Sequence, residues 1–318
     1  MNLFRLRLTG VTAAVIALTA PLGLSACSSR DGGETAAPPT TAAPSGGCPT
    51  TPVNVVVSVD QWGDIVRELG GDCAQVTTVL ASSSVDPHDF EPSPADAAAF
   101  AQAQLVVVNG ADYDPWASKF AATSAPKAAL VDAGVVTKTA AGSNPHLWYS
   151  PSAVVAVADA VTAELVKLAP EGQGYFTDQR AAFSTGLEPY NKLLSDIKAG
   201  AAGKTYAATE SVFDYTAEDV GLVNATPPGY RTASANESDP SPADLEAFRR
   251  ALADRQINVL VYNTQTEGSV PEQIRSAAEA AGVPVVEVTE TVPPGTTQFE
   301  TWQVAQLTAL AKALGVAV

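Results

Sequence analysis

The chain is expected to fold as an α/β protein of two lobes, each a mostly parallel sheet flanked by helices, and three observations lead there. Its 318 residues are about twice a typical domain. Short apolar runs alternate with helical faces rather than with hairpin turns, the pattern of strands covered on both sides. A segment of the first half also returns in the second: Glu91–Phe100 (EPSPADAAAF) and Asp239–Phe248 (DPSPADLEAF) match at a constant offset of 148 residues.

The N-terminus is read first as an export signal. Arg5 and Arg7 form a basic start, and Thr9–Leu24 is an apolar stretch that Pro21 and two glycines make too short and broken for a membrane span. It ends in Leu24-Ser25-Ala26-Cys27, which resembles a bacterial lipobox, in which the cysteine is acylated and becomes the mature N-terminus. Residues 1–26 are therefore expected to be a signal peptide. Residues 27–47 are expected to be a lipidated cysteine and a disordered tether, rich in Ser, Thr, Ala, Pro and Gly. Loss of residues 1–26 removes two arginines and no acid, which moves the net charge from −16 to −18. Such a charge repels phosphate backbones and argues against a nucleic-acid partner.

With Cys27 assigned to lipid, Cys48 and Cys73 remain, and an oxidising compartment favours a disulfide between them. Each precedes an apolar run, so adjacent parallel strands would start both sulfurs from one sheet edge. A zinc–thiolate site is the rival, without a C-x-x-C spacing to support it.

Val53–Val59 reads as a buried strand, followed by a helical face of Trp62, Ile65, Val66 and Leu69 that stops at Gly70-Gly71. Gln75–Leu80, Leu105–Asn109 and Ala128–Val131 repeat the strand signal. A long helix is expected over Ser152–Leu168, ended by Pro170. A second helical stretch carries Phe176, Phe183, Leu187, Tyr190, Leu194 and Ile197 and should pack across both lobes, with a kink or break where Gly186 and Pro189 interrupt it. Strand–helix alternation restarts at Thr205–Ala208. Each copy of the repeated segment has Ser at a helix N-cap, Pro at the first helical position and Asp at the third, and each is followed by an apolar strand, Leu105–Asn109 or Val259–Asn263. The expected division is an N-terminal lobe over 48–170, a linking helix over 171–202 and a C-terminal lobe over 203–318.

The chemistry is expected at the strand ends. Both histidines of the chain occur as Pro-His in polar loops, Asp86-Pro87-His88-Asp89-Phe90-Glu91-Pro92 and Asn144-Pro145-His146-Leu147-Trp148-Tyr149-Ser150-Pro151. Glu210 follows the strand Thr205–Ala208, and Glu290 follows Pro284–Val288. Ligands of open α/β sheets bind outside the carboxyl ends of strands, which is where these four side chains fall. Imidazoles with carboxylates suit Zn²⁺, Mn²⁺ or Fe²⁺ and disfavour Cu(I). Two carboxylates would balance a divalent ion, so the loaded site could be buried.

These motifs resemble the metal-binding lipoproteins of bacterial ABC importers, the manganese and zinc solute-binding proteins. The signature D-P-H-x-[YF]-E-P stands at Asp86–Pro92, and the second histidine motif, Asn109–Trp116, Glu210–Tyr215 and the Pro-Ser-Pro-Ala-Asp-Leu segment ending at Leu245 extend the similarity over about residues 52–315. The resemblance implies two lobes bridged by a long helix, with the metal held in the cleft by His88, His146, Glu210 and Glu290. It implies a monomer on the outer face of the cytoplasmic membrane, delivering metal to a permease and its ATPase, and not an enzyme. The family usually ends its ligand set with Asp, whereas this chain offers Glu290, with Glu287 and Glu267 nearby. Val135–Ser143 also lacks the His-rich loop of many zinc members. A carboxylate at Glu210 could supply a second oxygen, which favours manganese or iron, while the Irving–Williams order keeps zinc close. Two other readings stand beside this one: a metallohydrolase with a His-His-Glu site and Glu290 as general base, and an adhesin or scaffold with a structural metal.

Overall fold

The computed structural model describes residues 47–81, 90–266, 268–296 and 298–317. Lobe 1 runs β1 (Val53–Val59), α1 (Asp60–Gly70), β2 (Ala74–Leu80), α2 (Pro94–Phe100), β3 (Leu105–Val108), α3 (Pro115–Ser124), β4 (Ala129–Asp132) and α4 (Ala133–Thr137). Its four strands are all parallel in the order β2-β1-β3-β4. The valines of β1 alternate between two cores: Val55 and Val57 face α1, and Val56 faces α3. A strand covered on both faces needs such a continuous apolar run. Helix α1 buries Trp62, Ile65, Val66 and Leu69 completely, each contributing about 1.5–3 kcal/mol of burial.

Cys48 and Cys73 form a disulfide across 25 residues. Val53 of β1 pairs with Ala74 of β2, so the bridge joins the starts of two neighbouring parallel strands, as their positions in the sequence suggested.

Three helices then carry the chain across: α5 (Pro151–Leu168), α6 (Gln173–Gly186) and α7 (Glu188–Ala201). The expected interruption falls at Leu187, between α6 and α7. Pro189 sits in the first turn of α7, where no intrahelical N–H is needed. Gly186 has a packing reason, since a Cβ there would come within 2.7 Å of a Glu300 carboxylate oxygen.

Lobe 2 runs β5 (Thr205–Ala208), α8 (Asp214–Asp219), β6 (Val223–Asn224), α9 (Pro228–Ala235), α10 (Pro242–Ala253), β7 (Val259–Asn263), α11 (Ser269–Ala281), β8 (Val285–Val288) and α12 (Phe299–Ala313). Its order is β6-β5-β7-β8, again all parallel. The two sheets thus share one topology, and the repeated segment marks equivalent places in it. Ser93 caps α2 in a reciprocal box with Asp96, and Ser241 caps α10 by accepting from the Asp244 N–H. β3 and β7, the strands that follow, hold the same position in each sheet. Of the described strands only β6 was not anticipated, because two residues carry no period.

Each lobe keeps a smaller core of its own on the outer face of its sheet, around Phe100 in lobe 1 and Phe248 in lobe 2, and the two share a third. One apolar cluster runs from Val55 and Trp62 through Val161, Phe183 and Leu194 to Val261 and Leu310, and residues 46–318 form one compact unit. Helix α12 packs on both α7 and α1. Among the described residues no helix is long and apolar enough to cross a membrane.

Candidate metal centre

In each sheet the strand order reverses at the first strand, opening a crevice beyond the carboxyl ends of β1 and β3 in lobe 1 and of β5 and β7 in lobe 2. The chain places polar residues there from both lobes. His146 comes from the loop before α5, Glu210 from the turn after β5, and Glu290 from the turn after β8. One ligand atom from each lies within 4.8 Å of the others. His146 Nε2 stands 3.5 Å from Glu290 Oε2 and 3.9 Å from Glu210 Oε1.

His146 is aimed by Asn144. The Asn144 amide donates to the Ser211 carbonyl, which leaves its Oδ1 to accept from the His146 backbone N–H at 3.0 Å and from His146 Nδ1 at 2.7 Å. With the proton on Nδ1, the lone pair of Nε2 faces the carboxylates, the arrangement that holds metal-binding imidazoles in one tautomer. Because Ser211 follows Glu210, the same amide ties the histidine loop of lobe 1 to the glutamate turn of lobe 2. Tyr215 adds a second tie by donating to the Asn144 carbonyl.

The carboxylates are held by the residues that end and follow β7. Asn263 Nδ2 donates to Glu210 Oε2 and to Glu290 Oε1, both at 2.8 Å. Thr266 Oγ1 donates to Glu210 Oε2 as well. Gln265 Oε1 accepts the backbone N–H groups of Glu290 and Thr291, which fixes the turn carrying Glu290. From lobe 1, Tyr113 donates to Glu290 Oε2 at 3.1 Å, and Gln61 to the Glu290 carbonyl at 2.6 Å. Tyr113 reaches the site because Gly110, Ala111 and Asp112 take three left-handed conformations in succession, φ 68°, 51° and 65°. That turn is held by the buried Asp114 carboxylate, which accepts from the backbone N–H groups of Asn109 and Gly110. Burial still raises Asp114 to about 6.

The donors shift one another as crowded buried groups must. Burial raises the Glu210 carboxyl, Glu290 raises it further, and His146, Thr266 and Asn263 oppose both. Burial lowers the His146 imidazole, but Glu290, Glu210 and Asp214 outweigh it and the net shift is upward. Two carboxylates and a neutral imidazole would balance the charge of a divalent ion, so such an ion would relieve the same crowding. His146 and Glu290 are each 2% exposed, whereas Glu210 is only partly buried. A cavity of about 480 Å³ reaches His146 and Glu210 and is bordered by Asp112, Asp214 and Glu237 and by Arg231.

Of the residues expected from the sequence, the structure brings together His146, Glu210 and Glu290. His88 lies outside the described residues, as do Glu267 and Cys27; the flanking Phe90 packs its ring 5.1 Å from that of Trp116. Glu287 points away from the donors, 53% exposed and ion-paired with Arg275 at 2.7 Å. It borders a different cavity of about 860 Å³ along β8 that none of the three donors touches. Sequence reasoning gave no role to Asn263, Gln265, Thr266, Tyr113 or Asn144. The Asn-Thr-Gln-Thr run directly after a strand was the available signal.

Two parallel-sheet lobes thus bring one imidazole and two carboxylates, all of metal-ligand type, to one place. The chain belongs to the family described as zinc-uptake complex component A, periplasmic, whose model matches residues 55–313. Among its relatives, it is 24% identical over 243 residues to the high-affinity zinc uptake system protein ZnuA of Bacillus subtilis, covering 70% of this chain and 75% of that protein. It is 21% identical over 256 residues to the manganese ABC transporter substrate-binding lipoprotein PsaA of Streptococcus pneumoniae, covering 73% of this chain and 78% of that one. A crystal structure of ZnuA superposes with a TM-score of 0.67 at 24% identity, over 83% of this chain and 99% of the other.

Proposed function

We propose that this protein captures Zn²⁺ or Mn²⁺ outside the cytoplasmic membrane and delivers it to an ABC permease driven by its ATPase. One observation carries the reading: a buried imidazole and two carboxylates, from loops of both lobes, converge within 4.8 Å. The ligands are His146, Glu210, Glu290 and His88, and Fe²⁺ is a further ion this set could take. The names of the relatives support uptake as the purpose of binding, since they denote zinc and manganese components of import systems. Cys27 carries the lipid, residues 27–47 form the tether, and the protein acts as a monomer with lobes over 48–170 and 203–318 linked by 171–202.

Glu290 argues for a ligand rather than a general base. It is 2% exposed, and both of its carboxylate oxygens accept side-chain hydrogen bonds, so it is held in place rather than presented to water. Calorimetric titration of the metal-stripped protein with Zn²⁺ and Mn²⁺, beside metal uptake by cells lacking the gene, tests the proposal. Saturable one-to-one binding with impaired uptake is expected. Absence of binding to either ion would sink it.

A further inference from the structure

Tyr149 ends the short 3₁₀ turn Leu147–Tyr149 that His146 caps, and its backbone N–H donates to the His146 carbonyl at 3.1 Å. The side chain is 0% exposed, and it is lobe 2 that its ring meets: Phe213 edge-on at 5.3 Å and Trp302 at 5.8 Å. Phe213 ends the turn that follows Glu210. From the next helix the Thr216 hydroxyl donates to the Tyr149 carbonyl at 2.6 Å.

The Tyr149 hydroxyl reaches the turn of the other glutamate. Its oxygen stands 2.7 Å from the Thr289 carbonyl oxygen and 2.8 Å from Gln306 Oε1, and its one proton serves these two acceptors. Gln306 Oε1 also accepts the Thr289 backbone N–H at 3.3 Å, and Trp302 Nε1 donates to the Thr289 hydroxyl at 3.1 Å. The Thr289 carbonyl belongs to the peptide plane that leads into Glu290, and the N–H of that same plane donates to Gln265 Oε1 at 2.7 Å. A rigid plane is thus gripped at its oxygen by a residue of the histidine loop and at its nitrogen by lobe 2. It cannot rotate without breaking one of these bonds, so the direction in which Glu290 leaves the backbone is referred to the loop of His146.

We infer that Tyr149 is a positioning residue whose hydroxyl locks the Glu290 turn to the His146 loop and so sets how tightly a metal ion is held between them. The inference rests on the metal-receptor reading above. Binding groups have to be held within about 0.5 Å of their working geometry, and a bond from the loop of one donor to the peptide of the other removes play between the two.

The test is Tyr149→Phe, which keeps the ring on Phe213 and Trp302 and removes the bond to the Thr289–Glu290 peptide. Dissociation constants for Zn²⁺ are measured by chelator competition on metal-stripped full-length protein. A loss of about tenfold is expected, the low end of what outer partners of metal ligands contribute. General loosening of the fold would weaken binding equally in any background, whereas positioning acts through one ligand. Tyr149→Phe should therefore add less than about twofold in Glu290→Gln, where the charged ligand it places is gone, and again about tenfold in Glu210→Gln. Should Glu290→Gln bind too weakly to titrate, the visible absorption of the Co²⁺-loaded protein decides, because those bands follow donor geometry: altered bands are expected in Tyr149→Phe, and bands identical to wild type overturn the inference. Gln306→Leu cuts the same link from α12 and is expected to give the same results should Tyr149→Phe not fold. A loss under about threefold in the otherwise wild-type protein, or equal losses in the two glutamine backgrounds, overturns the inference and leaves the receptor reading standing. Wild-type protein that binds neither Zn²⁺ nor Mn²⁺ overturns both.

Discussion

Replacing Glu290 with glutamine keeps the outline of the side chain and removes its charge. The carboxylate is 2% exposed, accepts from Asn263 and Tyr113, and lies 3.5 Å from the His146 ring nitrogen. With Glu210 it supplies one of the two negative charges that balance a divalent ion. After Glu290→Gln the loaded cleft carries an uncompensated positive charge away from water. Removing one partner from a buried, hydrogen-bonded set of charges costs about 3–5 kcal/mol, which is roughly 10²–10⁴-fold in Kd at about 1.4 kcal/mol per decade. The glutamine amide also turns a donor toward either Asn263 or Tyr113, so the loss should fall in the upper part of that range. Calorimetry on metal-stripped protein measures it, with Glu287→Gln as control because Glu287 is exposed and paired with Arg275 on the surface. A Kd for Glu290→Gln within about threefold of wild type, or an equal loss in the control, would refute the assignment of Glu290 as a ligand.

Three further outcomes are expected. Asn144→Ala frees the His146 ring to change tautomer and should cost about 10–100-fold in metal affinity, as loss of such outer partners does; nitrogen NMR showing the proton still on Nδ1 and unchanged affinity would count against it. Glu68 is raised to about 8 by burial first and then by the neighbouring Glu300. With its folded value above its unfolded one, its contribution to stability is complete below about 4.5 and is lost as pH rises through about 8. Thermal melts of the metal-free protein should therefore fall between those values less steeply for Glu68→Gln than for wild type, and parallel curves would contradict this. Opening the disulfide with Cys48→Ser and Cys73→Ser should destabilise the fold by about 3 kcal/mol, the chain-entropy value for a loop of this size, as read by urea unfolding; an unchanged midpoint would show that the bridge adds nothing.

What could be read in advance followed from period and spacing. The valine run of β1 had to be covered on both faces, and the repeated Pro-Ser-Pro-Ala-Asp segments marked equivalent helix starts, so the twin sheets were legible. His146, Glu210 and Glu290 were legible because each stands just beyond a strand or within a Pro-His motif. Their supports were not: the roles of Asn263, Gln265 and Thr266 depend on which loop of another element lies opposite, and no period reports that. Tyr113 reaches Glu290 only through the left-handed run at Gly110–Asp112. The continuous core between lobes was legible in part, in the stripe from Phe176 to Ile197 that was expected to pack across both; the share of α12 was not, since its face reads as an ordinary amphipathic stripe until its partners are known.

The most direct test is the metal content of the protein purified from its native envelope without added ions, alongside a His146→Ala, Glu210→Ala double variant. Close to one equivalent of zinc or manganese per chain is expected in the wild type, and almost none in the variant. Wild-type protein devoid of both metals, or a variant that retains its full equivalent, would contradict the cleft as the place where metal is carried.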